Sequence, residues 1–268
     1  MIPVPGQDSP LSGGFRGLWK SGAVVRVPKI LSGSCVALAA GLAALLCPPA
    51  LAAEAAPDAT TLYHEAMSTT KAWTVHYVST SNASQVPFFE QGDTGPASGT
   101  QAIEVGRGAT RERASLIVIG DLTYVKGNTL AMEDLTGLPS TEAAAAAGRW
   151  VLFSSNNPAF AQVVVGVRSR DVAQEVALEG PFTLGKSRTL HGNRVIGVRG
   201  TERLQGTKKV RAVLYVRASG RHVLMEEDTV DTQGKANGAE HIVFSNWGES
   251  VKPRAPHASF TLGTINAT

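Results

Sequence analysis

Residues Gly180 to Ser187 spell Gly-Pro-Phe-Thr-Leu-Gly-Lys-Ser, which fits the phosphate-binding loop pattern letter for letter. That loop works only between a buried strand and a following helix, because backbone amides and the helix N-terminus must face the phosphates. Here the flanking patterns predict a helix before the motif and a strand after it. We therefore expect an ordinary connection into a strand and no nucleotide site.

Other catalytic patterns are incomplete. Ser68-Thr69-Thr70-Lys71 resembles the serine–lysine pair of penicillin-interacting enzymes, but no Lys-Thr-Gly or Ser-Asp-Asn element accompanies it. The six histidines are scattered and do not have the spacing of zinc ligands. The sequence also has no Gly-x-Ser-x-Gly motif, which would place a serine nucleophile at a sharp turn. The sequence thus predicts no catalytic residues, no metal, no cofactor and no enzymatic activity.

Charged runs are expected at the surface. Glu226, Glu227 and Asp228 form an acidic run whose members alternate between the two faces of a strand, which favours a solvated edge over a metal site. Lys208, Lys209 and Arg211 are interpreted as an exposed face.

The first 52 residues have the features of a secretory signal peptide with an extended leader. Basic residues Arg26 and Lys29 precede an apolar run from Val36 to Leu46, and Ala50-Leu51-Ala52 follows as a small-residue cleavage site. The apolar run is short for a membrane span. We expect cleavage near Ala52 and an extracytoplasmic location: the periplasm, the cell wall or the medium.

Both cysteines, Cys35 and Cys47, lie in this leader, so the mature chain would contain no disulfide. A lipid anchor is disfavoured, because Leu46 precedes Cys47 where a lipoprotein signal has a small residue, and Cys35 lies ahead of the apolar run. The chain has 25 basic and 22 acidic residues, of which four basic and one acidic lie in residues 1–52. The mature chain is neutral, with 21 of each, and nothing in it predicts nucleic-acid binding.

The mature chain alternates helical and strand patterns. Asp58 is placed to cap a helix ending near Lys71, a strand begins at Trp73, Pro87 to Gly99 resembles a loop, and Ile103 and Val105 mark the next strand. Ser140 begins a short alanine-rich helix, Trp150 to Phe153 a short strand, and Asn156-Asn157-Pro158 a further helix. A helical segment with Val172 and Val176 ends at Gly180. The later strands are Phe182–Leu190, Arg194–Arg199, Val210–Arg217, Arg221–Val230 and Glu240–Ser245.

A β-hairpin from Ala114 to Gly127 lies at the centre of this arrangement. Gly120-Asp121 separates two β-branched runs, and a glycine in the first turn position supplies the positive φ of a type II′ turn. The strand Leu116 to Ile119 is apolar on both faces and must be covered on both. The pattern as a whole predicts a single α+β domain over residues 53–256, with one large curved antiparallel sheet packed by helices on one face. Residues 257–268 are expected to form a loose tail.

Three short segments resemble the LolA-like lipoprotein-carrier superfamily, and its LppX/LprG-type cell-envelope lipid-binding branch in particular. They are Tyr124-Val125-Lys126-Gly127, Gly148-Arg149-Trp150-Val151, and the stretch from Phe244 to Val251 with its Trp247-Gly248 pair. The resemblance spans about Asp58 to Pro256 and implies a strongly curved half-barrel with helices on its concave face and acyl chains in between. The carriers LppX and LprG are lipid-anchored through a cysteine near the N-terminus. This chain lacks a cysteine in a suitable context and departs from them at that point.

The resemblance and the apolar strand faces together predict a monomeric, exported, non-catalytic carrier that holds a lipid or other amphiphile and contacts membranes transiently. The alternative is an envelope-stress sensor or regulatory module that binds an envelope protein, which an exposed apolar patch on the convex face would favour. Strand faces assigned by alternation, together with the helical stripe that contains Phe160 and Val164, give the predicted cavity lining: Val75, Tyr77, Ile103, Val105, Leu116, Val118, Phe160, Val164, Ile196, Val198, Leu214, Val216, Ile242 and Phe244.

Overall fold

A computed structural model describes residues 57–81, 86–156, 163–164, 166–203, 209–230 and 240–261. The predicted signal peptide, the helix expected to begin at Asn156-Asn157-Pro158, and the side chains of Phe160, Lys208 and Lys209 lie outside the described parts. No described helix is long and apolar enough to cross a membrane.

The described chain is α+β. Four helices span Ala59–Ala72 (α1), Thr129–Thr136 (α2), Ser140–Ala146 (α3) and Ser169–Glu175 (α4). The strands are Val75–Ser81 (β1), Phe88–Thr94 (β2), Ser98–Val105 (β3), Glu112–Ile119 (β4), Leu122–Gly127 (β5), Val151–Ser154 (β6), Leu178–Leu190 (β7), Asn193–Arg203 (β8), Lys209–Arg217 (β9), Leu224–Val230 (β10), Glu240–Ser245 (β11) and Phe260–Thr261 (β12).

All twelve strands belong to one open sheet in the order β12-β6-β5-β4-β3-β2-β1-β11-β10-β9-β8-β7. Two meanders, β1 to β6 and β7 to β11, meet where β1 pairs antiparallel with β11. The only parallel pair among the described strands is β12 with β6, at Phe260 and Thr261. The ordered chain therefore extends past Pro256, into the segment expected to be a loose tail.

The helices cover one face of the sheet, and two apolar clusters lie beneath them. Cluster one combines β3 to β6 with α2, α3 and the segment around Val164. Cluster two combines β1 and β7 to β11 with α1 and α4. In α1 the buried residues Leu62, Tyr63, Ala66, Met67 and Thr70 form one helical stripe, and Asp58 Oδ1 caps the helix by accepting from the amides of Thr60 and Thr61.

Local signals in the sequence correctly predict α1, the β4–β5 hairpin and most later strands. Gly120 has the expected positive φ, of 57°. The rejection of a phosphate loop is also confirmed, because Gly180 to Ser187 lies within β7. The preceding helix ends at Glu175 rather than at Gly180.

Three predictions of local structure are wrong. Pro87 to Gly99 is not a loop, since it contains β2. Gly92 fits in this strand because the ring of its cross-strand partner Tyr77 occupies the side-chain position, where a Cβ would be 2.7 Å from Tyr77 Cε1. Helix α2 was missed, although Asn128 caps it and Gly137 ends it in the left-handed conformation. The acidic run at Glu226 lies on β10, which is flanked by β9 and β11, and is therefore not on an edge.

Candidate functional site

The predicted lining residues that belong to strands fall on the helix-covered face of the sheet, and Val164 packs against that face from a connecting segment. The buried ones are Val75, Tyr77, Ile103, Leu116, Val118, Val164, Val198, Leu214, Val216, Ile242 and Phe244. Val105 and Ile196 are half-buried and pack against the same clusters, and Phe160 lies outside the described residues. Contact of these residues with a ligand stays a prediction. They are divided between the two clusters, so the structure does not gather them into one continuous apolar surface.

Five carboxyl groups gather on the helix-covered side of the sheet, and we call them the acidic seam. Its members are Glu90 on β2, Glu175 at the end of α4, Glu202 on β8, Glu227 on β10 and Glu240 on β11. Glu90, Glu202 and Glu227 are 3%, 7% and 1% exposed. The chain therefore places acidic groups on the face where sequence alternation predicted only apolar ones.

The strand register explains why these carboxylates are desolvated. Glu227 lies between Ile242 and Leu214 on the neighbouring strands, and Glu202 lies between Leu178 and Val210. A bulge after Leu224 shifts the register of β10, so that Leu224 and Glu227 share the helix-covered face and Glu226 points to the other. Simple alternation from Leu224 would place Glu226 inside instead.

Tyr77 organises the end of the seam nearest cluster one. Its hydroxyl lies 2.5 Å from Glu90 Oε1 and 3.2 Å from the carbonyl oxygen of Gly166, and Gln101 Nε2 donates to both Tyr77 Oη (2.9 Å) and Glu90 Oε1 (2.8 Å). The phenol has one proton for two acceptors. The Tyr77 hydroxyl therefore donates to Glu90 Oε1, the nearer of the two acceptors.

Burial and mutual repulsion favour the protonated forms of the seam carboxyls. Desolvation raises the pKa of Glu90 to about 7, although the hydrogen bonds from Tyr77 and Gln101 lower it. Desolvation and the charge of Glu240 raise the pKa of Glu202 to about 8. Desolvation, followed by the charges of Glu202 and Glu240, raises the pKa of Glu227 well above its ordinary value. Burial thus favours the protonated, uncharged form of these carboxyls.

Glu175, at the end of α4, interacts with carboxylates from both meanders. Burial, then the charges of Glu90, Glu240 and Glu202, raise its pKa well above the ordinary value. On a flat sheet β2 and β8 would lie about 24 Å apart, at five strand spacings, so one carboxylate interacts with both only if the sheet bends toward α4. The residue itself is exposed at the end of the helix.

Gly166 brings three seam groups to one point. It has a positive φ of 78°, and a Cβ there would lie 2.7 Å from Gln101 Nε2, 3.6 Å from Glu90 Oε1 and 3.8 Å from Glu175 Oε2. The two carboxylates thus converge on the same small volume beside the Gly166 backbone. A side chain at this position would fill that volume.

A second acidic group, the convex cluster, occupies the opposite face of the same strands. It consists of Arg188, Glu226, Asp228 and His241. One ligand atom each of Glu226, Asp228 and His241 lies within 4.8 Å of the others. The Arg188 guanidinium hydrogen-bonds Glu226, lies 3.6 Å from Asp228 Oδ2 and stacks 3.5 Å from the Tyr215 ring centre. Arginine thus supplies the positive charge that a metal would supply, and the cluster fits a structural ion-pair network.

The convex face of β1 to β4 carries a shallow groove of about 290 Å³ beside His76 and Asp93. These two are cross-strand partners, with His76 Nδ1 at 2.8 Å from Asp93 Oδ1. Ser115, which also lines the groove, is three strands away from His76. The arrangement does not bring a nucleophile to the imidazole, so it gives no hydrolytic site.

The chain is similar to known proteins in its fold and not in its sequence. Neither a protein-family model nor a curated protein matches the sequence. Among solved structures, the chain is similar to LprF from Mycobacterium bovis, with 18% identity over 74% of this chain and 96% of that one, at a TM-score of 0.47. It is also similar to the LolA superfamily protein NE2245 from Nitrosomonas europaea (10% identity, 74% and 96% covered, TM-score 0.28). A third similarity is to a putative outer membrane lipoprotein-sorting protein domain from Vibrio parahaemolyticus (10% identity, 71% and 92% covered, TM-score 0.27). Similarity at this level assigns the chain neither a ligand nor an activity.

Proposed function

We propose that the protein is an exported, non-catalytic carrier that holds an amphiphile between the curved sheet and its helices. The single observation that carries this proposal is the helix-covered face of the open twelve-stranded sheet, where two clusters of buried apolar residues lie beneath the helices. An alkyl chain entering between sheet and helices would leave water for apolar surface, at about 0.8 kcal/mol per methylene. The carrier acts as a monomer that contacts membranes transiently.

The exposed surface does not favour the alternative of a regulatory module. The large exposed apolar side chains of the described residues are Val86, Leu122, Leu130 and Leu184, on separate segments of the chain. Apolar residues scattered singly are ordinary for a soluble surface and do not form a docking patch.

Native mass spectrometry of the protein purified from the envelope of the cells that make it tests the carrier function. We expect masses above that of the bare mature chain, and lipid in an organic extract of the same sample. The mass of the mature chain also tests cleavage near Ala52. A bare chain that yields no lipid on extraction would argue against a carrier.

A further inference from the structure

In their ionised forms the seam carboxyls have no matching cation in the described parts of the chain. Among the described residues, no lysine, arginine or histidine forms an ion pair with Glu90, Glu175, Glu202, Glu227 or Glu240; the described ion pairs lie elsewhere on the molecule. Buried carboxylates are ordinarily paired or bound to a cation, because an isolated buried charge is expensive. The described side chains therefore leave protons or a ligand to neutralise the seam.

Individual oxygen atoms of the seam also lack hydrogen-bond donors. Glu227 Oε1 and Glu202 Oε2 have no partner, and both residues are more than nine-tenths buried. Gln101 Oε1, at the other end of the seam, is buried and unpartnered as well. A buried acceptor without a donor costs stability, so each of these atoms marks a position where a donor from outside the chain would be favourable.

The chemistry of these groups selects a ligand rich in donors. Carboxylates, the Gln101 oxygen and the Gly166 carbonyl are all acceptors, and a phosphate or carboxylate head group would meet repulsion there. A protonated amine offers up to three N–H donors and a positive charge. It fits both the missing charge and the missing donors.

The spread of the seam favours an organic cation over a metal ion. Its members lie on α4 and on strands from β2 to β8, whereas the group of three ligand atoms within 4.8 Å found among the described residues is in the convex cluster. One Ca²⁺ ion requires several oxygens at about 2.3–2.6 Å. Apolar residues of cluster two adjoin the seam, with Ile242 and Leu214 on either side of Glu227, so an alkyl chain can lie beside a head group that reaches this carboxylate.

We propose that the acidic seam is the head-group subsite for a cationic amphiphile, whose polar end carries one or more protonated amines beside its alkyl chain. This inference rests on the proposed carrier function and specifies the class of ligand. The alkyl chain contacts the adjoining apolar residues, and protonated amines donate to the unpartnered oxygens of Glu202 and Glu227.

Titration calorimetry of the purified protein at pH 8, below the micelle concentration of each probe, tests the inference. The probes are dodecylamine, dodecanoate and monolaurin, which share chain length and differ in head-group charge. We expect dodecylamine to bind at least about tenfold more tightly than monolaurin, and dodecanoate most weakly, because a desolvated charge pair typically contributes at least one factor of ten. Equal affinity of dodecylamine and monolaurin would overturn the assignment.

Two variants locate the effect. Glu202→Gln and Glu227→Gln keep side-chain size and remove charge, so each should lower dodecylamine affinity by about tenfold and leave monolaurin affinity unchanged. The matched control is Glu226→Gln, the next residue along β10 but on the opposite face, which should leave the preference for amine intact. A preference that survives both seam substitutions, or is lost equally in the control, would show that the seam does not bind the head group.

The outcomes separate this inference from the carrier function. Comparable binding of all three probes, or tighter binding of monolaurin, keeps the carrier and rejects the cationic head group. Failure of every probe to bind rejects both. Calcium binding in equilibrium dialysis that is lost in both seam variants would reject the amine in favour of a metal ion.

Discussion

Glu226 and Glu227 are adjacent on β10 and occupy opposite electrostatic environments. Glu226 belongs to the convex cluster, where Arg188, stacked on Tyr215, supplies a positive charge within hydrogen-bonding distance. Glu227 belongs to the acidic seam, where its nearest charged neighbours are other carboxylates and one of its oxygens has no partner. Desolvation is present at both sites, so the difference is the counter-charge.

The comparison separates two uses of buried acidic groups. The convex cluster receives a cation from within the chain, as expected of a structural network that fixes strand register. The acidic seam is left for protons or a ligand to neutralise, as expected of a site where stability is given up for binding. The following predictions test this contrast, from the largest effect to the smallest.

The strongest prediction concerns pH and stability. Because the folded-state pKa of Glu202 is about 8 against an ordinary 4.5, the folded chain holds a proton that the unfolded chain releases between those values. Stability is therefore greatest at the acidic end of that window and falls as pH rises, by about 1.4 kcal/mol per pH unit for each such group. We expect a loss on the order of 4 kcal/mol between pH 5 and pH 8 in urea denaturation of the ligand-free protein. Glu202→Gln should flatten this slope, and stability that rises over the window would contradict the seam's protonation.

Apolar replacement should affect the two neighbours with opposite sign. Glu227→Leu removes a buried, unpaired carboxylate and should raise the free energy of unfolding at pH 8 by about 2–3 kcal/mol, since apolar replacement of buried charges is often stabilising. Glu226→Leu leaves Arg188 without its closest partner and should lower the free energy of unfolding by about 1 kcal/mol. The loss is small because that arginine is partly exposed. Denaturation midpoints of both variants under identical conditions measure the difference; equal signs would remove the distinction.

Removing the cation of the convex cluster should make it resemble the seam. Arg188→Met leaves Glu226 and Asp228 uncompensated and should cost about 2 kcal/mol of stability at pH 8. A second substitution, Glu226→Gln, should recover much of that loss, because the remaining repulsion disappears. Additive losses in this double-mutant cycle would show that the two side chains do not interact.

The smallest effect is expected at Tyr77. Tyr77→Phe removes a hydroxyl that hydrogen-bonds Glu90 and should cost about 1 kcal/mol. That hydrogen bond lowers the Glu90 pKa, so its loss should move the titration of Glu90 further above 7. Carbon-13 NMR titration of the glutamate side chains checks the direction; an unchanged midpoint would mean that the phenol does not influence the carboxyl.

The parts of the fold that the sequence predicts are those set by local contacts. Asp58 caps α1 through its own side chain, and Gly120 allows the hairpin turn through its own φ, so neighbouring residues suffice to predict both. Strand β2 depends instead on a residue of another strand, because the Tyr77 ring occupies the space where a side chain at position 92 would lie. Without knowledge of that ring, the glycine-rich stretch around Gly92 resembles a loop.

The acidic seam escaped sequence analysis for a related reason. The bulge after Leu224 reverses which acidic residue faces the helices, and no local pattern marks its position. Glu90, Glu202 and Glu240 are isolated in the sequence, and Glu90 in the first meander joins the other two in the second only when β1 and β11 pair. A usable signal was present at Glu202, an acidic residue two positions after Gly200 in a strand whose other face-sharing members, Val198 and Ile196, are apolar.

The pairing of β1 with β11 also affects how the chain acquires its structure. These strands are separated by more than half of the sequence, with Tyr77 opposite Phe244. Until β11 has been synthesised and docked, β1 presents an unpaired edge, and such edges promote association between chains. Non-local pairing of this kind also slows folding. A chain that emerges or crosses a membrane N-terminus first would therefore complete its first meander early and close the sheet last, which leaves a window in which a chaperone can hold it.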